Sequence, residues 1–210
     1  MQRVKIWDSF VRLSHWLMVV LLVAMWWTAD NDYMEWHLRL APLLGGLLIS
    51  RLVWGLVGSQ SARFSYFLGG PKAVLQHLRE FKNGHYQPSN SHNAAGGWAV
   101  MLILLLLLAQ FVSGLFAADG YFYEGPLAAR IGSDAAELMT DIHQIVFDVL
   151  VVAVVLHLIA IVVYKLRGVS LVAAMLHGYR HNVGAVPLRN GLIGIALAAV
   201  AAFALFVWIN

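Results

Sequence analysis

The sequence predicts an all-α integral membrane protein, a four-helix transmembrane bundle with a fifth transmembrane helix at its C-terminal end. Three observations carry that expectation. Of 210 residues, 60% are hydrophobic and 12% charged, with a mean hydropathy of +0.73; a soluble domain carries about twice that share of charge. The apolar residues gather into long runs, without the every-second-residue alternation of a transmembrane barrel. Four of the nine histidines fall inside those runs or at their ends, where an ionisable side chain is expensive and usually functional.

The runs place transmembrane helices at about 13–29, 38–57, 96–117, 142–164 and 190–209. The first run, Leu13 to Thr28, is not followed by a small-residue cleavage site, so it reads as a retained span. Lys and Arg set the orientation. Arg3, Lys5 and Arg12 precede the first span; Arg63, Lys72, Arg79 and Lys82 follow the second; Lys165, Arg167, Arg180 and Arg189 follow the fourth. These share one side. The other side carries Asp30, Asp32, Glu35, Asp119, Glu124, Asp134, Glu137 and Asp141, against Arg39 and Arg130. The expected topology has the N-terminus cytoplasmic and the C-terminus, after five spans, outside.

Between the spans, GPKAVLQHLREFKNG (70–84) puts Val74, Leu78 and Phe81 on one face and reads as a helix lying on the cytoplasmic membrane surface. VSLVAAMLHGYRH (169–181) reads as a second such helix, and 119–138 as an acidic, aromatic outer loop. Seven of the tryptophans, Trp16, Trp26, Trp27, Trp36, Trp54, Trp98 and Trp208, read as an interfacial belt. His77, His85, His177 and His181 lie in surface segments and are expected to be solvated.

The four histidines in or at the ends of the spans pair by depth. His143 and His157 are fourteen residues apart on the fourth span, about 1400° of rotation, so both point the same way roughly 21 Å apart along the axis. Given the topology, His15 and His157 share the cytoplasmic level, and His37 and His143 share the outer level. One imidazole from each of two helices at one depth is what an iron porphyrin needs, and the chain supplies this twice. Zinc fits less well, since it gathers four ligands around one ion. There are no cysteines, which excludes thiolate-held iron–sulfur clusters and haem attached through C-x-x-C-H. Arg12, three residues before His15, and Arg51, fourteen after His37, suit haem propionates; for Arg12 a positive-inside anchor is an equal alternative. Gly45 and Gly46 serve either close approach of a flat macrocycle or close helix packing.

VKIWDSFVRLSHW, RLVWGLVGSQSARF, GPKAVLQHLREFKNG and SHNAAGG resemble the bacterial cytochrome b561 family, near the b-type cytochrome subunit of nickel-iron hydrogenase and its stand-alone relatives, over roughly residues 3–181. The resemblance implies a haem-binding four-helix domain at 1–181, holding two b haems on His15, His37, His143 and His157, with 182–210 as an added helix for packing or partner docking. It also implies a quinone near the cytoplasmic haem, at the turn of His92, Asn93, Gly96 and Gly97. The competing role for His92 and Asn93 is to cap the third span. The expected function is electron transfer across the membrane between quinone or quinol and a periplasmic c-type cytochrome or hydrogenase. An alternative is superoxide:quinone oxidoreductase, which the acidic outer surface disfavours. A scaffold or transporter would carry no haem, and nothing points to nucleic acid.

Overall fold

The computed structural model describes residues 3–85, 89–120 and 122–209. Its elements run β1 (Arg3–Lys5), α1 (Ser9–Asp30), α2 (Met34–Val57), a 3-10 turn (Gln60–Ala62), α3 (Phe64–Phe67), α4 (Pro71–Lys82), α5 (Ala94–Phe116), a second 3-10 turn (Ala128–Arg130), α6 (Ser133–Leu166), α7 (Leu171–His177), β2 (Tyr179–His181) and α8 (Gly191–Ile209). Among these, α1, α2, α5, α6 and α8 are long and apolar enough to cross a membrane. The apolar side chains of α1, α5, α6 and α8 are largely uncovered by protein, as expected where lipid is the solvent, whereas 56% of the α2 span is buried.

The starts of the helices follow local chemistry. Asp8 caps α1, its Oδ1 accepting from the Val11 amide at 2.9 Å. Pro71 opens α4 at a position where its missing N–H removes nothing. Helix α6 begins at Ser133, about nine residues before the apolar run. Its 34 residues span about 51 Å, so it projects well beyond a hydrocarbon core of about 30 Å. The outer loop is correspondingly shorter than expected.

The surface helix expected over 169–181 is also shorter. Gly178, at φ +85°, ends α7 in the left-handed conformation, and a Cβ there would lie 2.9 Å from the Trp7 carbonyl. Residues 179–181 instead pair antiparallel with Arg3–Lys5. This two-stranded ribbon joins segments far apart in sequence, which is why helical periodicity could not reveal it.

The chain divides into two compact units. One comprises Met1–Trp16, Ser50–Met101 and His157–Leu197; the other comprises Leu17–Ile49, Leu102–Leu156 and Ala198–Asn210. In the first, Trp54 is 1% exposed, and its Nε1 donates to Asp8 Oδ2 at 3.0 Å. Trp54 therefore leaves the interfacial belt and joins a buried cluster with Phe10. In the second, a Cβ on Gly46 would collide with the Ala202 backbone, and one on Gly45 with the Phe111 ring. Both glycines serve close helix packing, and Gly46 lets α8 approach α2 to backbone contact.

Candidate functional site

The second unit contains a cavity of about 570 Å3, lined by residues of α1, α2, α5 and α6, with His37 and His143 both on its wall. His37 sits in the first turn of α2. Its Nδ1 donates to the Met25 carbonyl of α1 at 2.9 Å. A carbonyl only accepts, so this bond fixes the proton on Nδ1 and leaves Nε2 with its lone pair. On α6, His143 places Nδ1 3.1 Å from Ser113 Oγ. The Ser113 hydroxyl itself donates to the Gln110 carbonyl, so it accepts from His143, and Nε2 is again the nitrogen left over. Gly114 makes room for this ring, since a Cβ there would lie 2.9 Å from His143 Cε1.

The two rings lie 6.4 Å apart, centre to centre, at 76°. Two metal–imidazole bonds of about 2.0 Å, plus about 1.2 Å from each nitrogen to its ring centre, give roughly 6.4 Å. The pair therefore fits an iron between them, and the cavity volume is in the range of cofactor pockets.

In the first unit, His15 of α1, His157 of α6 and Arg51 of α2 are electrostatic neighbours. His15 Nδ1 and Arg51 Nη1 are buried without a hydrogen-bond partner among the described residues, as is Arg12 Nε. Arg51 is 5% exposed, has Asp8 as its acidic neighbour, and lies over the Phe64 ring. A buried guanidinium with an unmet donor beside an imidazole with an unmet nitrogen fits a metal-centred group carrying carboxylates. Arg12 also donates from Nη1 to the Leu176 carbonyl at 2.6 Å, so part of its fork is used in holding α7.

His92 lies between the Trp7 and Phe67 rings, at 4.9 and 4.7 Å. Burial pushes its imidazole down to about 3, with the positive fields of Arg51, Arg180, His157 and His15 adding to the effect. It is neutral at physiological pH, and its Nδ1 has no partner among the described residues. Asn93 does cap α5, its Oδ1 accepting from the Gly96 amide at 2.7 Å. Its Nδ2 donates to Tyr164 Oη at 2.8 Å. Gly97 packs directly under Phe67.

Several site residues were not anticipated from sequence. Ser113, Gly114 and the Met25 carbonyl orient the imidazoles of His37 and His143. Gln110, Gln144 and Asp148 add polar groups to the cavity wall. Asp148 carried a signal, a lone carboxylate in the middle of an apolar run. His77 was expected to be solvated, but it is half-buried, and its Nε2 lies 2.6 Å from Tyr164 Oη. His85, His177 and His181 are exposed, as expected.

A multi-pass helical membrane protein with imidazoles facing a shared internal cavity has the construction of a membrane cytochrome. Residues 6–178 match the family described as prokaryotic cytochrome b561, and the chain belongs to that family. It is a b-type membrane cytochrome that binds haem b and transfers electrons. No curated protein and no solved structure matches the chain.

Proposed function

We propose that the protein is a di-haem cytochrome b that carries electrons across the bacterial inner membrane, between the quinone pool and a periplasmic c-type cytochrome or hydrogenase. His37 and His143 hold the outer haem, and His15 and His157 hold the inner one. Held by paired imidazoles, haem b would supply a one-electron couple rather than a gas-binding site. Arg51 and Arg12 receive propionates. Quinone binds by His92, Asn93 and Gly96, where a neutral imidazole and an amide offer hydrogen bonds beside two aromatic rings. The spacing of the His37 and His143 rings is the observation that carries this reading.

The acidic outer residues favour a partner with a basic docking face. Superoxide oxidation fits less well. Arg39, one of two outer basic residues, is already paired with Glu35 at 2.5 Å.

Haem counted per chain by the pyridine haemochrome assay tests the proposal. About two b haems per chain are expected. His157→Ala is expected to remove one and leave the other. Two low-spin haems in that variant would refute the pairing.

A further inference from the structure

The helix α4 docks on the end of α6 and the residue after it through four side chains. The Phe81 ring packs 4.5 Å from the Tyr164 ring. The Arg167 guanidinium lies over Phe81 at 4.7 Å and donates to the Phe81 carbonyl. His77, one turn before Phe81, stacks nearly parallel to Tyr164 and meets its hydroxyl at 2.6 Å. Beyond Tyr164, the same hydroxyl receives the Asn93 amide at 2.8 Å.

The directions of these bonds are fixed by chemistry. An amide nitrogen can only donate, so Tyr164 Oη accepts from Asn93. The Tyr164 hydrogen is then available to His77 Nε2. One end of the chain is a titratable ring on a surface helix. The other is the turn that opens α5, where Asn93 Nδ2 keeps a second hydrogen with no partner among the described residues. A helix cap needs Asn93 Oδ1 alone. It does not need a phenol on the amide, nor an imidazole on the phenol.

We infer that His77 and Tyr164 form the proton route between the basic, cytoplasmic face of the protein and the quinone bound at Asn93. This rests on the quinone site proposed above. Protonation of His77 reverses its bond to Tyr164, because Nε2–H now donates to Oη. The tyrosine hydrogen turns toward a quinone oxygen held by the second Asn93 hydrogen. As that oxygen gains electrons from the cytochrome, its new O–H bond forms, the Tyr164 O–H bond breaks, and the His77 N–H proton restores it. One such pass protonates the oxygen held by Asn93; the opposite quinone oxygen takes its proton from water, so that two electrons and two protons convert one quinone to one quinol, and quinol oxidation runs the same steps backward. Glu80 on α4 and Tyr164 on α6 are the titratable groups facing His77, and Arg167 adds a fixed positive charge on the α6 side. Burial holds the His77 imidazole below its ordinary value, with Glu80 opposing.

The test is stopped-flow reduction of the haem-loaded, full-length protein by duroquinol, from about pH 5.5 to 8.5. Tyr164→Phe and His77→Gln are each expected to slow haem reduction by about tenfold or more. Haem content, the dithionite-reduced spectrum and the KM for duroquinol should stay near wild type, and His77→Gln should flatten the pH profile. His77→Gln lies outside the spans and serves alone if Tyr164→Phe loses haem. Wild-type rates and pH dependence in the variants would overturn the route, as would a raised KM at unchanged maximal rate, which would make both residues supports for the Asn93 cap. A wild-type protein neither reduced by duroquinol nor reoxidised by duroquinone would remove the quinone site, and the route with it.

Discussion

The ring planes of His37 and His143 stand 76° apart, and each ring commits its Nδ1 to an oxygen on another helix. Nearly perpendicular imidazole planes leave the d orbitals of a ferric iron between them nearly degenerate. The oxidised protein is therefore expected to show a strongly anisotropic low-spin EPR signal. His37→Ala and His143→Ala should each abolish it and lower haem from about two to about one per chain. Survival of that signal in either variant would assign it elsewhere.

Ser113 accepts the His143 Nδ1 proton, which makes the imidazole a stronger donor to a metal and favours the oxidised state. Ser113→Ala removes the acceptor. One neutral hydrogen bond of about 0.5–1 kcal/mol corresponds to roughly 20–40 mV for a one-electron couple. Redox titration should show one haem potential raised by that order and the other unmoved. A fall in potential would reverse the assigned bond direction.

Gly46 has the Ala202 backbone where its Cβ would be, and the obstacle is main chain, which cannot rotate away. Gly46→Val should destabilise the protein by about 1–3 kcal/mol, read as a lower Tm in detergent. Gly70→Ala, with nothing within 4 Å of the added carbon, is the matched control and should change Tm little.

The imidazole of His92 is held at about 3 against an ordinary 6.5. Between those values the unfolded chain binds a proton that the folded chain refuses. The stability His92 contributes is therefore present above about pH 6.5 and is lost as pH falls toward 3. Wild-type Tm should fall more steeply between pH 7 and 5 than that of His92→Gln. Parallel curves would show that the ring is hydrated in solution.

Much of the fold was legible because lipid imposes a simple rule. Runs such as 142–164 have no stable alternative to helix, and the histidine depths followed once Lys and Arg had set the direction of each span. The parts that escaped share one cause: they depend on partners distant in sequence. Trp54 looks interfacial until Asp8, 46 residues away, is found accepting its N–H. His77 looks solvated until Tyr164 arrives from 87 residues away. Gly45 and Gly46 were evenly balanced between two roles, because only the position of Ala202 and Phe111 could decide. Ser113 and Gly114 were invisible for the same reason. A serine in an apolar helix announces nothing until an imidazole is placed against it.

The pairing of Arg3–Lys5 with Tyr179–His181 sets a clock on biosynthesis. At about 5–20 residues per second, the ribosome delivers the second strand roughly 10–35 s after the first. For most of that interval His15 is already made while His157 is not, and the Gly191 and Gly194 positions that rest against Ser9 and Phe10 come later still. A nascent chain arrested before α6 would hold half of each histidine pair and close neither. On the proposed pairing haem would be captured late, and a truncated chain should leave the insertion machinery colourless.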